Sequence, residues 1–174
     1  MWAGIIYGLI PAELQKDYRQ PATRAKIAQL VINLLELSAD KDIDAILKEK
    51  GKTINADAFS DTSDKNILAA NALGILNGTG DGKFSPDTQL SRAEFAAVIS
   101  RVAGVLNYRL DGYPEVIFTD VQSHWVKDEL PFSVFARIFN GTGNNKFSPS
   151  SPLTVQELGV AAVRSFWFFY SDWP

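Results

Sequence analysis

An arginine sits one residue after a hydroxyl side chain, and a glutamate three residues after it, in Ser91-Arg92-Ala93-Glu94. Ser91 and Glu94 form the S-x-x-E capping box, in which each side chain meets the other residue's backbone N–H. A helix start offers N–H groups and a partial positive charge, which suits an anion. Arg92, in the first turn, adds a planar fork that can bind a carboxylate through two parallel hydrogen bonds. Thr154-Val155-Gln156-Glu157 keeps the hydroxyl and the glutamate but has valine in place of the arginine. Thr23-Arg24-Ala25-Lys26 keeps the hydroxyl and the arginine but has lysine in place of the glutamate. Two of the three starts follow glycine-rich loops, one containing Gly78, Thr79 and Gly80 and the other Gly141, Thr142 and Gly143. Such loops imply positive φ or a close backbone approach. Trp125 supplies a flat apolar face. Each of these residues also has a purely structural reading: caps for Ser91, Glu94, Thr154 and Glu157, tight turns for the loops, core for Trp125. On its own, Arg92 reads as a surface arginine.

The elements that position these groups are repeated. Gly74 to Arg101 and Arg137 to Arg164 align without a gap, pairing Asn77 with Asn140, Phe84 with Phe147, Pro86 with Pro149 and Glu94 with Glu157. An ungapped match of this length marks an internal repeat. Phe59-Ser60-Asp61 and Phe118-Thr119-Asp120 open the two copies, and a diverged third copy lies at the front. In it, Trp2 to Leu9 reads as a short apolar helix. Ile27, Leu30, Val31, Leu34 and Leu35 mark one face of a longer one. Asp40 to Lys50 reads as a charged connector helix stopped at Gly51. Asp61 or Ser63 is expected to cap a helix through Leu73. Phe84 is expected to plug its loop into the core, and Phe95, Val98, Ile99 and Val102 to form a buried stripe. His124-Trp125 opens the last copy's first helix, which Pro131 kinks or restarts. Phe132, Phe135 and Phe139 are expected in the core. Leu158, Val160, Ala161, Ala162 and Val163 make the last helix apolar nearly all round, as a central buried helix is. The aromatic tail, Phe166 to Trp173, is expected to pack back over the bundle. No strand-like alternation occurs, so the chain is expected to be all-α, with three helix–loop–helix modules around a shared core. The boundaries are 1–37 for the first module, 38–58 for the connector, 59–103 for the second, 104–117 for a linker and 118–174 for the third.

The composition limits the chemistry. A length of 174 residues and a 46% hydrophobic fraction suit a globular chain with a sizeable core. A net charge of -3 argues against a nucleic-acid partner, which needs a basic face. With no cysteine there is no disulfide or thiolate metal site. No apolar run reaches the roughly 18 residues of a membrane span. The N-terminus lacks signal-peptide features, and its abrupt start suggests an excised piece of a longer protein.

The ordered set resembles the S-layer homology family. It comprises a Phe-x-Asp opening, a Trp-led helix, a glycine loop with Phe-x-Pro (Phe84/Pro86, Phe147/Pro149), and a Thr-Arg-Ala-Glu-like helix start. In the front copy the resemblance rests on Trp2-Ala3, Gly8-Leu9-Ile10-Pro11 and Thr23-Arg24-Ala25-Lys26. The resemblance implies a pseudo-threefold, three-pronged spindle of helices. It also implies an extracellular, non-catalytic anchor that binds secondary cell wall polysaccharide, often one bearing ketal-linked pyruvate, in grooves between modules. No cofactor is implied. Arg24 and Arg92 are then expected to meet a pyruvyl carboxylate, Gly78 to Gly80 and Gly141 to Gly143 to shape groove walls, and Trp125, with Trp2, to support the sugar. Val155, Lys26 and the absence of tryptophan at the second copy's helix start imply that the three grooves are not equivalent.

Other readings are weaker. An EF-hand-like count starting at Asn77 puts Gly82 at the sixth position but Thr88 at the twelfth, where calcium needs a bidentate glutamate. The single histidine, His124, is the sole candidate for Ser–His–Asp chemistry, and nothing selects a carboxylate pair for glycoside cleavage. A self-assembly module using the aromatic tail, or contacts to neighbouring S-layer chains, is the structural alternative.

Overall fold

The structure, a computed structural model, describes residues 8–171. Among them are six α-helices, two short 3-10 segments and only isolated bridges, so the fold is all-α. The expected helix from Trp2, the role of Trp2 and the last three residues lie outside the described part.

Helix α1 (Arg24–Ala39) buries Ile27, Leu30, Val31, Leu34 and Leu35, the face that the spacing marks, and packs against α3 (Lys65–Ala72) and α6 (Val155–Ser171). It stops at Asp40, which takes a left-handed φ of 49°. Helix α2 (Ile43–Glu49) is capped by Asp42 and rests Ile43, Ile46 and Leu47 on the core, so the connector's charges face outward. The cap of α3 is Asp64, whose Oδ1 accepts from Asn66 N at 2.8 Å and Ile67 N at 3.1 Å. The expected caps Asp61 and Ser63 do not serve there, because Asp61 is engaged by a loop described below. Helix α4 (Arg92–Val105) buries Phe95, Val98, Ile99 and Val102 as expected. Helix α5 (Leu130–Phe135) follows directly on a 3-10 turn, Trp125–Glu129. Pro131 sits in the first turn of α5, where its missing N–H removes no helical bond, so it restarts the helix rather than kinking one.

The buried apolar residues form one continuous core. Three expectations about buried apolar residues are corrected. Phe135 is 57% exposed, because it ends a six-residue helix and lays its ring on the surface against Tyr113 at 4.8 Å, while Phe132 and Phe139 are buried. Val160 is 43% exposed, so α6 has one open face although Leu158, Ala161 and Ala162 are buried. The tail splits by helical periodicity: Phe166 and Phe169 are buried, and Tyr108 donates its hydroxyl to Phe169 O at 2.9 Å. Trp167 and Tyr170, on the other face, keep substantial exposure.

The repeated loops fold alike. Phe84 and Phe147 are fully buried plugs, with rings 5.3 Å from Phe59 and 5.6 Å from Phe118. The same opening phenylalanines explain two glycines. A Cβ at Gly78 would lie 2.7 Å from Lys83 O and 2.8 Å from Phe59, and one at Gly141 would lie 2.8 Å from Lys146 O and 2.7 Å from Phe118.

Candidate ligand-binding grooves

Each of the three helix starts rests on the loop of another repeat. Arg24 N and Ala25 N donate to Thr88 O and Pro86 O at 2.8 and 2.9 Å. Arg92 N and Ala93 N donate to Ser151 O and Pro149 O at 2.9 and 3.0 Å. Val155 N and Gln156 N donate to Gln20 O and Tyr18 O, both at 2.9 Å. The third N–H of each helix goes to its cap: Lys26 N to Thr23 Oγ1, Glu94 N to Ser91 Oγ and Glu157 N to Thr154 Oγ1. The three seams thus run from the front copy to the second, from the second to the third, and from the third back to the front. The N–H groups that a helix leaves unpaired in its first turn are used here to join repeats. The expectation that these N-termini hold them free for an anion is therefore corrected.

The arginines follow the same seams. Arg24 donates from Nε to Phe84 O at 2.9 Å and from Nη2 to Asn77 O. Arg92 donates from Nε to Phe147 O, from Nη2 to Asn140 O and from Nη1 to Glu157 Oε1, each at 3.0 Å. The guanidinium carbon lies 4.4 Å from the Phe84 ring centre for Arg24 and 4.9 Å from that of Phe147 for Arg92, within cation–π range. Both side chains are buried, at 7% and 6% exposure. Burial pushes both guanidinium pKa values down. Glu94 and Asp61 oppose this at Arg24, and Glu157 and Asp120 oppose it at Arg92. Val155 is buried in the third seam, which its backbone N–H holds without a guanidinium.

The other singled-out residues divide between structure and surface. Ser91–Glu94 and Thr154–Glu157 are complete capping boxes. Thr79 and Thr142 hydroxyls meet those of Ser85 and Ser148 at 2.7 Å, inside the loops. Gly80 and Gly143 adopt φ of 112° and 108°, which a side chain rarely allows. Trp125 is 55% exposed, on the surface rather than in the core, behind the helix-start cap His124.

Two grooves open over the buried arginines. One, of about 260 Å³, is lined by Arg24, Asn77, Gly78, Glu94, Arg101 and Trp125, among others. The other, of about 600 Å³, is lined by Arg92, Asn140, Gly141, Thr142, Thr154, Glu157 and Arg164, among others. Arg101 and Arg164, which sequence reasoning did not single out, donate Nη1 to Ile75 O at 3.2 Å and Ile138 O at 3.4 Å. Their signal was present: they close the ungapped alignment as its last matched pair. Among the described residues no group of three His, Cys, Asp or Glu side chains converges as a metal site, and no helix is long and apolar enough to cross a membrane.

Asp61 and Asp120, the acids of the Phe-x-Asp openings, hold the loops. Asp61 accepts from Phe84 N and Ser85 N, and Asp120 from Phe147 N and Ser148 N, all at 2.8 Å. The Phe84 N–H foremost holds the Asp61 carboxyl below its usual range. At Asp120 desolvation pushes up, but the Phe147 and Ser148 N–H groups outweigh it. A depressed native pKa gives stability that is fully present above the unfolded value of about 3.9 and is lost as pH falls through the native value. The thermal midpoint is therefore expected to drop steeply below about pH 4. The Asp61→Asn/Asp120→Asn double variant should start lower at neutral pH and show a shallower acid slope. Thermal circular dichroism from neutral to strongly acidic pH checks this; parallel slopes in both proteins would refute it.

Comparison with known proteins supplies the remaining facts. Residues 57–96 and 117–157 match the S-layer homology domain. A cell surface protein of Thermoanaerobacter kivui is 31% identical over 105 residues, which cover 59% of this chain and 14% of that protein. A surface-layer 125 kDa protein of Lysinibacillus sphaericus is 28% identical over 169 residues, covering 94% of this chain and 13% of its own length. An endoglucanase of a Bacillus species is 28% identical over 98 residues, 56% of this chain and 10% of the enzyme. The chain thus spans 10% to 14% of the length of these relatives.

Proposed function

Because the chain belongs to the S-layer homology family, we propose that it is an extracellular anchoring module that binds secondary cell wall polysaccharide, of a pyruvylated kind, in its inter-repeat grooves. Such domains generally serve cell wall anchoring and are structural rather than catalytic. The observation that supports the finer reading is the pair of matched grooves, each with a buried arginine on its floor and a second arginine at corresponding positions. The buried guanidinium of each groove is the anion partner, and the loop at Gly78 to Gly80 or Gly141 to Gly143 is the wall. Thr23, Ser91, Glu94, Thr154 and Glu157 act by holding the helix starts that form the groove edges. Such a module can hold different cargo at the wall, which accommodates relatives as different as a surface-layer protein and an endoglucanase.

The test is cosedimentation with purified Gram-positive cell walls, before and after their secondary polymer is stripped. The expected result is protein in the pellet with intact walls and in the supernatant with stripped ones. Retention that is indifferent to stripping, or no retention at all, would overturn the reading.

A further inference from the structure

We propose that Asn77-Gly78 and Asn140-Gly141 are self-modification sites, at which the chain deamidates its own asparagine with help from the buried arginine that holds the same peptide unit. The proposal concerns the covalent chemistry of the loops and stands or falls independently of the anchoring reading. Asn77 and Asn140 are the asparagines that precede glycine; every other asparagine is followed by a residue with a side chain. In the reaction a solvent base takes the Gly78 N–H proton, and the nitrogen bonds to Asn77 Cγ to close a cyclic imide. The Cγ–Nδ2 bond breaks and the side-chain nitrogen leaves as ammonia. Water then adds at one of the two imide carbonyls and cleaves its bond to the ring nitrogen, giving aspartate from one and isoaspartate from the other. One water is consumed and one ammonia released, with no oxidation or reduction. Asn140 and Gly141 react in the same way.

Three observations set these two peptide units apart. First, both asparagines and both glycines are exposed, and among the described residues neither the asparagine side chains nor the Gly78 and Gly141 N–H groups have a hydrogen-bond partner. Neither the attacking nitrogen nor the amide it attacks must break a protein bond to react. Second, the fold keeps glycine after each asparagine, because a Cβ would lie 2.7 Å from Lys83 O at Gly78 and 2.8 Å from Lys146 O at Gly141. The attacking nitrogen therefore carries no neighbouring Cβ to obstruct ring closure. Third, the buried arginines hold the carbonyls of these same peptide units. Arg24 Nη2 donates to Asn77 O, and Arg92 Nη2 donates to Asn140 O at 3.0 Å. When the peptide nitrogen loses its proton, the negative charge spreads onto that carbonyl oxygen. A cation already bonded to the oxygen favours the deprotonated form, as donors do at a developing oxyanion.

Both guanidinium groups are buried, so water screens their charge weakly. Glu157 offsets part of that charge at Arg92. Each event places a new carboxylate in the groove that Asn77 lines with Arg24, or Asn140 with Arg92. The isoaspartate product also inserts a methylene into the backbone, which shifts the carbonyl away from the arginine that held it. The loop thus carries a slow chemical clock that changes the charge and the shape of the seam between repeats.

The experiment incubates the whole chain at mildly alkaline pH, in native buffer and in denaturant at the same pH and temperature. Peptide-mapping mass spectrometry reads the mass gain of amide-to-acid conversion at each asparagine, and enzymatic methylation reads isoaspartate. Folding ordinarily slows this reaction by restraining the backbone, whereas here the folded protein is expected to convert at Asn77 and Asn140 at least as fast as the unfolded chain. Arg24→Gln, with circular dichroism checking its fold, is expected to slow Asn77 at least about tenfold, since losing one oxyanion-type donor costs about a hundredfold or more. Asn140 in the same molecule should keep its wild-type rate, and Arg92→Gln should give the reverse pattern. Slower conversion in the folded protein than in denaturant at either site overturns the assignment of that site. An unchanged Asn77 rate in folded Arg24→Gln overturns the part given to the guanidinium. The comparison of folded with unfolded wild type decides even where a variant fails to fold, and conversion is read whether or not the protein binds walls.

Discussion

Phe84→Ala is expected to lower folding stability by about 3–5 kcal/mol, the range for truncating a fully buried phenylalanine. The ring has no solvent exposure and fills the space between its loop and the core, against Phe59 at 5.3 Å. The Arg24 guanidinium lies over the ring at 4.4 Å, an attraction worth about 0.5–2 kcal/mol that leaves with it. The backbone bonds of the residue survive the substitution, since Phe84 N donates to Asp61 and Phe84 O accepts from Arg24 whatever the side chain. The loss therefore measures the plug itself. Phe147→Ala should behave alike, because that ring is equally buried and lies under Arg92 at 4.9 Å. Phe84→Leu, which keeps most of the volume, should cost far less. Urea unfolding with an unchanged m-value checks the series. A loss below about 1 kcal/mol in either alanine variant would mean that the loops are docked by their backbone alone.

Much of this architecture was legible because it is written twice. The ungapped match identifies the equivalent loops, plugs and capping boxes, and the period of apolar residues places α1 and α4 on their buried faces. What escaped were features whose partner is a backbone carbonyl or a choice among neighbours. Arg24 reaches Phe84 O and Asn77 O, acceptors that every residue type offers, so nothing in the composition of either loop announces them. For the same reason the helix starts looked open to an anion, when their N–H groups are bound to carbonyls of the next repeat. The run Asp61-Thr62-Ser63-Asp64 offers several competent caps. The choice of Asp64 depends on Asp61 being held by the loop amides of Phe84 and Ser85, more than twenty residues on. Phe135 and Val160 were misplaced because periodicity gives the faces of a helix but not where its neighbours end.

Arg92→Ala carries the other large expected effect, a destabilisation of about 2–5 kcal/mol, with the source of that loss separable from the ion pair. Truncation strands Phe147 O and Asn140 O, and an acceptor left unsatisfied in a buried site costs about 1–3 kcal/mol. The third contact, to Glu157, is a different matter. That carboxylate is 40% exposed and already accepts from Thr154, so water and the capping box can hold it without the arginine. A double-mutant cycle with Glu157→Gln is expected to return a coupling below about 1 kcal/mol, because the carboxylate end of the pair stays open to water. Arg92→Lys should fall between, since an ammonium keeps the charge but cannot span three acceptors set out for a planar fork. The order Ala, then Lys, then Glu157→Gln in decreasing cost would show that the arginine's first duty is to tie the second repeat to the third. It follows that lost wall binding in an Arg92 variant says nothing about ligand contact unless the variant is folded at the assay temperature. A coupling above about 3 kcal/mol would reverse this, making the ion pair itself the tie between repeats and Glu157 as essential as the arginine.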